Sequence, residues 1–293
     1  MKILHFPILI ILVILSTITT AQAGSVQNQA ALQKFKAEEI IDFAKQVEKT
    51  LAEKRAVVAI VARQGRPDNE LPAGINYTHA SFWIYCRIQT DDGEIVPGYA
   101  VYNLYQRSDD PTKSHLIQDF PIDFLLGVQS LKAGIIIPTQ EMQKRLLKVV
   151  NSSTYKKFHN PEYSAISNPF DTTFQNCTEY MLDLIFSAIY ETDNIKQIKV
   201  NEQAYFHPQP IEVSWLKLMF GSLVKKDIRL IDHKDKPAIA TFGSIARFME
   251  KEQLSKESFS FVYAPKSMVS AQPELKSGHN GVSNSLLCSN PNL

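Results

Sequence analysis

The sequence predicts an α+β fold, an antiparallel sheet packed against helices, and three observations carry that expectation. An amphipathic helical pattern is followed at once by a short, wholly apolar run. Two segments rich in aromatic and β-branched residues flank an Asp92-Gly93 turn, and helical patterns return in the second half of the chain.

The elements follow in order. MKILHFPILIILVILSTITTAQAG has Lys2 near its start, an apolar run from Phe6 to Leu15 and a closing Ala21-Gln22-Ala23, the pattern of a cleavable secretory leader over residues 1–23. The run is shorter than the roughly 20 residues a membrane span needs, so no transmembrane segment is expected in the mature chain. Gly24 and not cysteine comes directly after Ala23, which argues against a lipid anchor, and an exported, periplasmic protein is the expectation. Residues 24–55 hold a long amphipathic helix: from Gln29 to Arg55, Leu32, Phe35, Ile40, Phe43, Val47 and Leu51 fall at helical spacing.

An α+β domain is expected over residues 56–265. AVVAIVA, 56–62, suits a buried strand, and GRPDNELPAG breaks it. INYTHASFWIYCRI, Ile75 to Ile88, reads as a second strand and GYAVYNLYQ, Gly98 to Gln106, as its returning partner. From Asp119 the pattern turns helical in DFPIDFLLGVQSL. The short run GIIIP follows, then a helix in TQEMQKRLLKVV capped by Thr139. Beyond a loop-like NPEYSAISNPFDTTFQN come the helix FQNCTEYMLDLIFSAIY, a strand in DIRLIDH, a helix in SIARFMEKE and a strand in FSFVYA. Residues 266–293, rich in Ser, Asn, Gln and Gly, read as a disordered tail.

At 44% hydrophobic and 21% charged the chain can bury a core. Of 31 basic and 30 acidic residues the leader removes Lys2 and no acid, so the mature chain is balanced, and nucleic acid is not an expected partner. Of the three cysteines, Cys86, Cys177 and Cys288, at least one lacks an internal partner, and a bridge from Cys86 to Cys288 would need the tail to fold back. His115, His159, His207, His233 and His279 show no metal-ligand spacing, and no phosphate-binding glycine motif or G-x-S-x-G elbow occurs, so neither metal nor cofactor is expected.

Asn176 is a favoured N-cap, Glu179 three residues on suggests a capping box, and Cys177 takes the first helical position. With Tyr180, Met181, Leu184, Ile185, Ala188 and Ile189 it lies on one helix face, so the thiol points inward. It is either the first member of a core stripe or a nucleophile at a helix N-terminus, where partial positive charge and open N-H groups favour a thiolate and an oxyanion. His79, mid-strand among apolar neighbours, is a packed core histidine or the base for that thiol. Asn103 and Gln106 can each hold its ring: a two-residue turn at Asp92-Gly93 sets Gln106 opposite His79, and a bulge at Pro97-Gly98 brings Asn103 round instead. Gln175, two residues before the thiol, is an oxyanion donor or a loop cap.

VAIVARQGRPDNELPAGINYTHASFWIY, GYAVYNLYQ, QDFPIDF and NPFDTTFQNCTEYMLD resemble a bacterial family catalogued as domain of unknown function 2145, over Phe43 to Tyr263. That family implies no established activity. The order of a strand with His, a strand with a polar residue, then a helix starting Asn-Cys more distantly resembles the circularly permuted branch of the papain-like NlpC superfamily, with its lecithin:retinol acyltransferase-like members. The resemblance implies a papain-like sheet packed against helices, Cys177 as nucleophile, His79 as base and an orienting residue near Asn103; the long insertion between Gln106 and Phe174 departs from it. The expected function is a periplasmic cysteine hydrolase acting on a cell-envelope amide such as a peptidoglycan peptide. A lipid or lipoprotein acyl hydrolase of the same fold, and a non-catalytic envelope-binding protein, are the alternatives.

Overall fold

A computed structural model describes residues 34–89, 93–212 and 227–265, together with the backbone of Leu287–Cys288. The expected leader, the Gln29 helix start, Asp92 of the turn and most of the tail lie outside the described residues. Helix α1, Ala37–Glu53, buries Ile40, Phe43, Ala44, Val47 and Leu51, the stripe its spacing predicts. It ends where Arg55 turns left-handed at φ 56°, a C-terminal stop more often made by glycine.

Strand β1, Val58–Arg63, is buried at all six positions, as its apolar run requires of a strand covered on both faces. Around it form β2, His79–Gln89, β3, Ile95–Gln106, β4, Ser114–Asp119, β5, Lys132–Pro138 and β8, Ser255–Val262. The six stand in the order β4-β3-β2-β1-β5-β8, every neighbouring pair antiparallel. Two short strands, β6, Gln209–Pro210, and β7, Ala238–Ile239, pair separately. Strand β9, Leu287–Cys288, runs parallel to β2 at Arg87 and Ile88, so the chain does fold back onto the sheet there. Cys86 is disulfide-bonded and Cys177 is free.

The remaining described helices are α2, Pro121–Leu125, α3, Gln140–Val150, α4, Ser153–Lys157, α5, Cys177–Tyr190, α6, Ile195–Tyr205, and α7, Phe242–Lys251. Helices α1 and α2 cover one face of the sheet, meeting Ala59, Val61, Trp83, Tyr99 and Val101. The other face, with Val58, Ile60, Ala62, Ala80, Phe82 and Ile84, carries α3 to α7. Alternation along each strand sorts the two cores.

Several expectations are corrected. SHLIQD forms β4, which its weak alternation did not announce, and DFPIDFLLGVQSL yields only the five residues of α2. DIRLIDH is not a strand: Asp232 accepts from the Asn168 N–H and bends the segment against a loop instead. Thr139 does cap α3, accepting from the Met142 N–H at 3.3 Å.

Candidate active site at the end of the sheet

The β2–β3 ladder is regular from Gln89↔Ile95 to Phe82↔Tyr102 and then stops, although β2 extends back to His79 and β3 on to Gln106. The register differs by one residue from that of a two-residue turn, which moves every side chain of β3 to the other face. Asn103 and Tyr105 therefore share the face of His79, and Gln106 does not. No bulge produces this: Arg87↔Pro97 and Cys86↔Gly98 pair in continuous register, and the shift is already present at Gln89↔Ile95. Gln106 instead donates to Pro111 O at 2.8 Å and Asp227 Oδ2 at 3.1 Å, away from the imidazole.

His79 is half-buried, its ring stacked on Tyr105 at 4.8 Å and tilted against Phe124 at 5.5 Å. Its Nε2 lies 3.1 Å from Asn103 Oδ1. Asn103 Nδ2 donates to Asp119 Oδ1 at 2.6 Å, and the Tyr105 hydroxyl donates to Asp119 Oδ2 at 2.9 Å. An ionised Asp119 only accepts, so Asn103 must turn its NH₂ to the carboxylate and its oxygen to the ring. Nε2 then carries the proton and Nδ1 is left as a basic lone pair. Burial, followed by the charge of Arg63, lowers His79 to about 3 against the support of Asn103. Burial also raises Asp119 to about 8; the Tyr105 bond opposes this and nearby Asp123 adds to it.

Arg63 closes β1 with its guanidinium over the Phe124 ring at 5.1 Å and Nη1 donating to Leu126 O at 2.6 Å. Buried beside the imidazole, it makes a second positive charge there unfavourable.

Across the sheet, Asn176 caps α5, its Oδ1 accepting from the Thr178 N–H at 3.1 Å and the Glu179 N–H at 3.0 Å. The expected capping box does not close, because the Glu179 carboxylate turns to Lys199 at 3.0 Å. Cys177 is only 8% exposed as a residue. N–H groups of even-numbered β2 residues point toward β3, and past Phe82 no β3 carbonyl takes them. The Ala80 N–H faces the Cys177 sulphur instead and, with that of Thr178, favours its thiolate. Burial nevertheless raises the thiol pKa, with these N–H groups and Arg63 pulling it down. No hydrogen bond joins thiol and imidazole among the described residues: alternation sends His79 toward α2 and Ala80 toward α5.

Gln175 is no oxyanion donor in this arrangement. Its Nε2 donates to Phe158 O at 3.0 Å and Asp183 Oδ2 at 2.8 Å, and its Oε1 accepts from the Asn160 N–H at 2.9 Å. The donors at the sulphur are backbone groups. Behind them, buried Lys199 lies 3.0 Å from Glu179, 2.6 Å from Asp183 and 3.3 Å from Glu202, tying α5 to α6.

Arg63, Tyr105 and Asp119 join the site without having been singled out as working groups. Arg63 had a signal, a lone charge ending an apolar run. Asp119 resembled the start of a helix, and the Ala80 N–H has no side-chain signal at all. Of the aromatic residues of β2 and β3, Tyr105 stacks on the imidazole whereas Trp83 and Tyr99 lie in the core beneath α1. Among the described residues no group of three or more His, Cys, Asp and Glu could hold a metal ion, and no helix is long and apolar enough to cross a membrane.

No curated protein and no solved structure matches the chain. A family profile does, over residues 50–249, a span that takes in β1 to β7 and every residue of the site. The chain belongs to the family described as an uncharacterised protein conserved in bacteria (DUF2145).

Proposed function

We propose that this protein is an exported cysteine hydrolase with a papain-like (permuted NlpC-type) arrangement, acting on an amide of the bacterial cell envelope such as a peptidoglycan peptide bond. The observation that carries the reading is the Asp119–Asn103–His79 chain: with Asp119 ionised it sets Nε2 as donor and leaves Nδ1 as base, one residue from Ala80, whose N–H lowers the Cys177 thiol pKa. In the proposed reaction the thiol proton reaches His79 Nδ1 through a water at the end of the sheet, because ring and thiol rest on opposite faces, as sulphur attacks the carbonyl carbon. The oxyanion forms at the α5 N-terminus, where backbone N–H groups stabilise it. The imidazolium gives its proton to the departing amine, and water, deprotonated by His79, cleaves the thioester to release the acid and the thiol. At rest both partners are neutral, since burial raises the thiol and lowers the imidazole, so proton transfer accompanies attack.

A second reading, a non-catalytic envelope-binding protein of the same fold, draws on the covered thiol and its lack of a bond to the imidazole. Alkylation of Cys177 by iodoacetamide across pH, in the native chain and in His79→Ala, separates the two. The hydrolase reading expects His79→Ala to slow alkylation above pH 8, where Asp119 is ionised, by about tenfold or more, as loss of a general base does. Equal rates in both proteins would sink it.

A further inference from the structure

A concavity apart from the thiol and the imidazole lies on the α5 face of the sheet, between the segment that precedes β2, the first turn of α7 and the edge strand β8. It has a volume of about 480 Å³, within the usual range for small-ligand sites. Tyr77 and Phe242 form one wall, ring centroids 5.1 Å apart and interplanar angle 76°. The pair sits so close to β5 that a Cβ at Gly134 would lie 2.5 Å from Phe242 Cε1 and 2.7 Å from Tyr77 Cε2. Glycine is required there for the rings to press onto the sheet. The Tyr77 hydroxyl pairs with Ser260 Oγ at 2.8 Å, and Ser258 lines the same wall.

The polar groups differ in kind. Lys132 is exposed at the lining and makes no ion pair with any described residue. Of the first-turn N–H groups of α7, that of Ser244 goes to Thr241 Oγ1 at 3.0 Å, and those of Phe242 and Gly243 have no intrahelical carbonyl to bond. With the serine hydroxyls they form a set of donors around a cation. Asp68, whose Oδ1 accepts from Gln64 Nε2 at 2.7 Å, supplies an acceptor in the same cavity. We infer that the cavity binds the carboxyl-terminal end of a short peptide: its carboxylate meets Lys132 and the hydroxyls, its amide N–H meets Asp68, and its side chain lies on Tyr77 and Phe242. This stands apart from the hydrolase reading, because it concerns binding and not turnover.

The test is calorimetric titration of the native chain with L-alanyl-L-alanine and with its carboxyl-terminal amide. The free dipeptide should bind saturably in the millimolar range, and the amide about tenfold more weakly, the worth of one charge-assisted contact. Lys132→Ala should bring the free dipeptide down to the level of the amide, whereas Lys256→Ala, on the same sheet edge but outside the cavity, should change nothing. Gly134→Ala should abolish binding by displacing the rings; Lys132→Ala, at an exposed position, decides the matter if that variant does not fold. Equal binding of dipeptide and amide, indifference to Lys132→Ala, or no saturable binding would each overturn the inference.

Discussion

Asn103 is held from two sides, and its orientation decides what the imidazole can do. With Asp119 ionised the amide is locked with its oxygen toward His79, and the ring's basic nitrogen is Nδ1. Burial places that ionisation at about 8, so the lock closes only as pH rises through that value. Cys177 reactivity should therefore climb through a step near pH 8 in addition to the thiol's own titration, and Asp119→Asn should remove the step while leaving the thiol's titration in place. A pH series of alkylation rates on the two proteins checks this.

At the scale of elements, α5 brings the thiol to the sheet and two devices hold it there. Asn176 takes two first-turn N–H groups, and Asn176→Ala should cost about 1 kcal/mol in urea unfolding. The second device is the Lys199 cluster. Burial raises Glu179 from its ordinary 4.5 to about 8, with Lys199 opposing and Asp183 adding to the rise. Between those values the folded chain holds a proton that the unfolded chain has released, so stability falls as pH rises across that window. Glu179→Gln should lose this share of the slope, at most about 1.4 kcal/mol per pH unit, measured as unfolding midpoints from pH 5 to 8.

The sequence disclosed these elements unevenly, for physical reasons. The apolar run of β1, the stripe of α1 and the Asn-Cys start of α5 declare themselves because one period dominates each. Strand β4 is half-buried along most of its length, and helix α6 buries little beyond Ile198, Lys199 and Glu202, so neither has a strong period to read. Asn103 and Gln106 could not be told apart because a single residue of register between β2 and β3 exchanges their faces.

For the whole molecule, the helices on both faces leave the sheet's ends as the places where side chains from the two layers approach one another. The thiol, the imidazole and the cavity at α7 all belong to the end where β1 finishes and β2 begins. The opposite end is where β9 lies beside β2 and Cys86 is bonded. In denaturant without reductant, a thiol reagent should count one cysteine, Cys177, and after reduction it should count all three of the sequence. Two or three thiols before reduction would contradict the disulfide.

The parting of β2 and β3 has a further use. An amide proton that favours the thiolate senses that sulphur's charge in return, so the Ala80 resonance is a built-in indicator of the thiol. In a ¹⁵N spectrum it reports ionisation, alkylation or acylation of Cys177 with no label on the thiol and no substrate in hand, and candidate envelope fragments can be screened by watching a single peak.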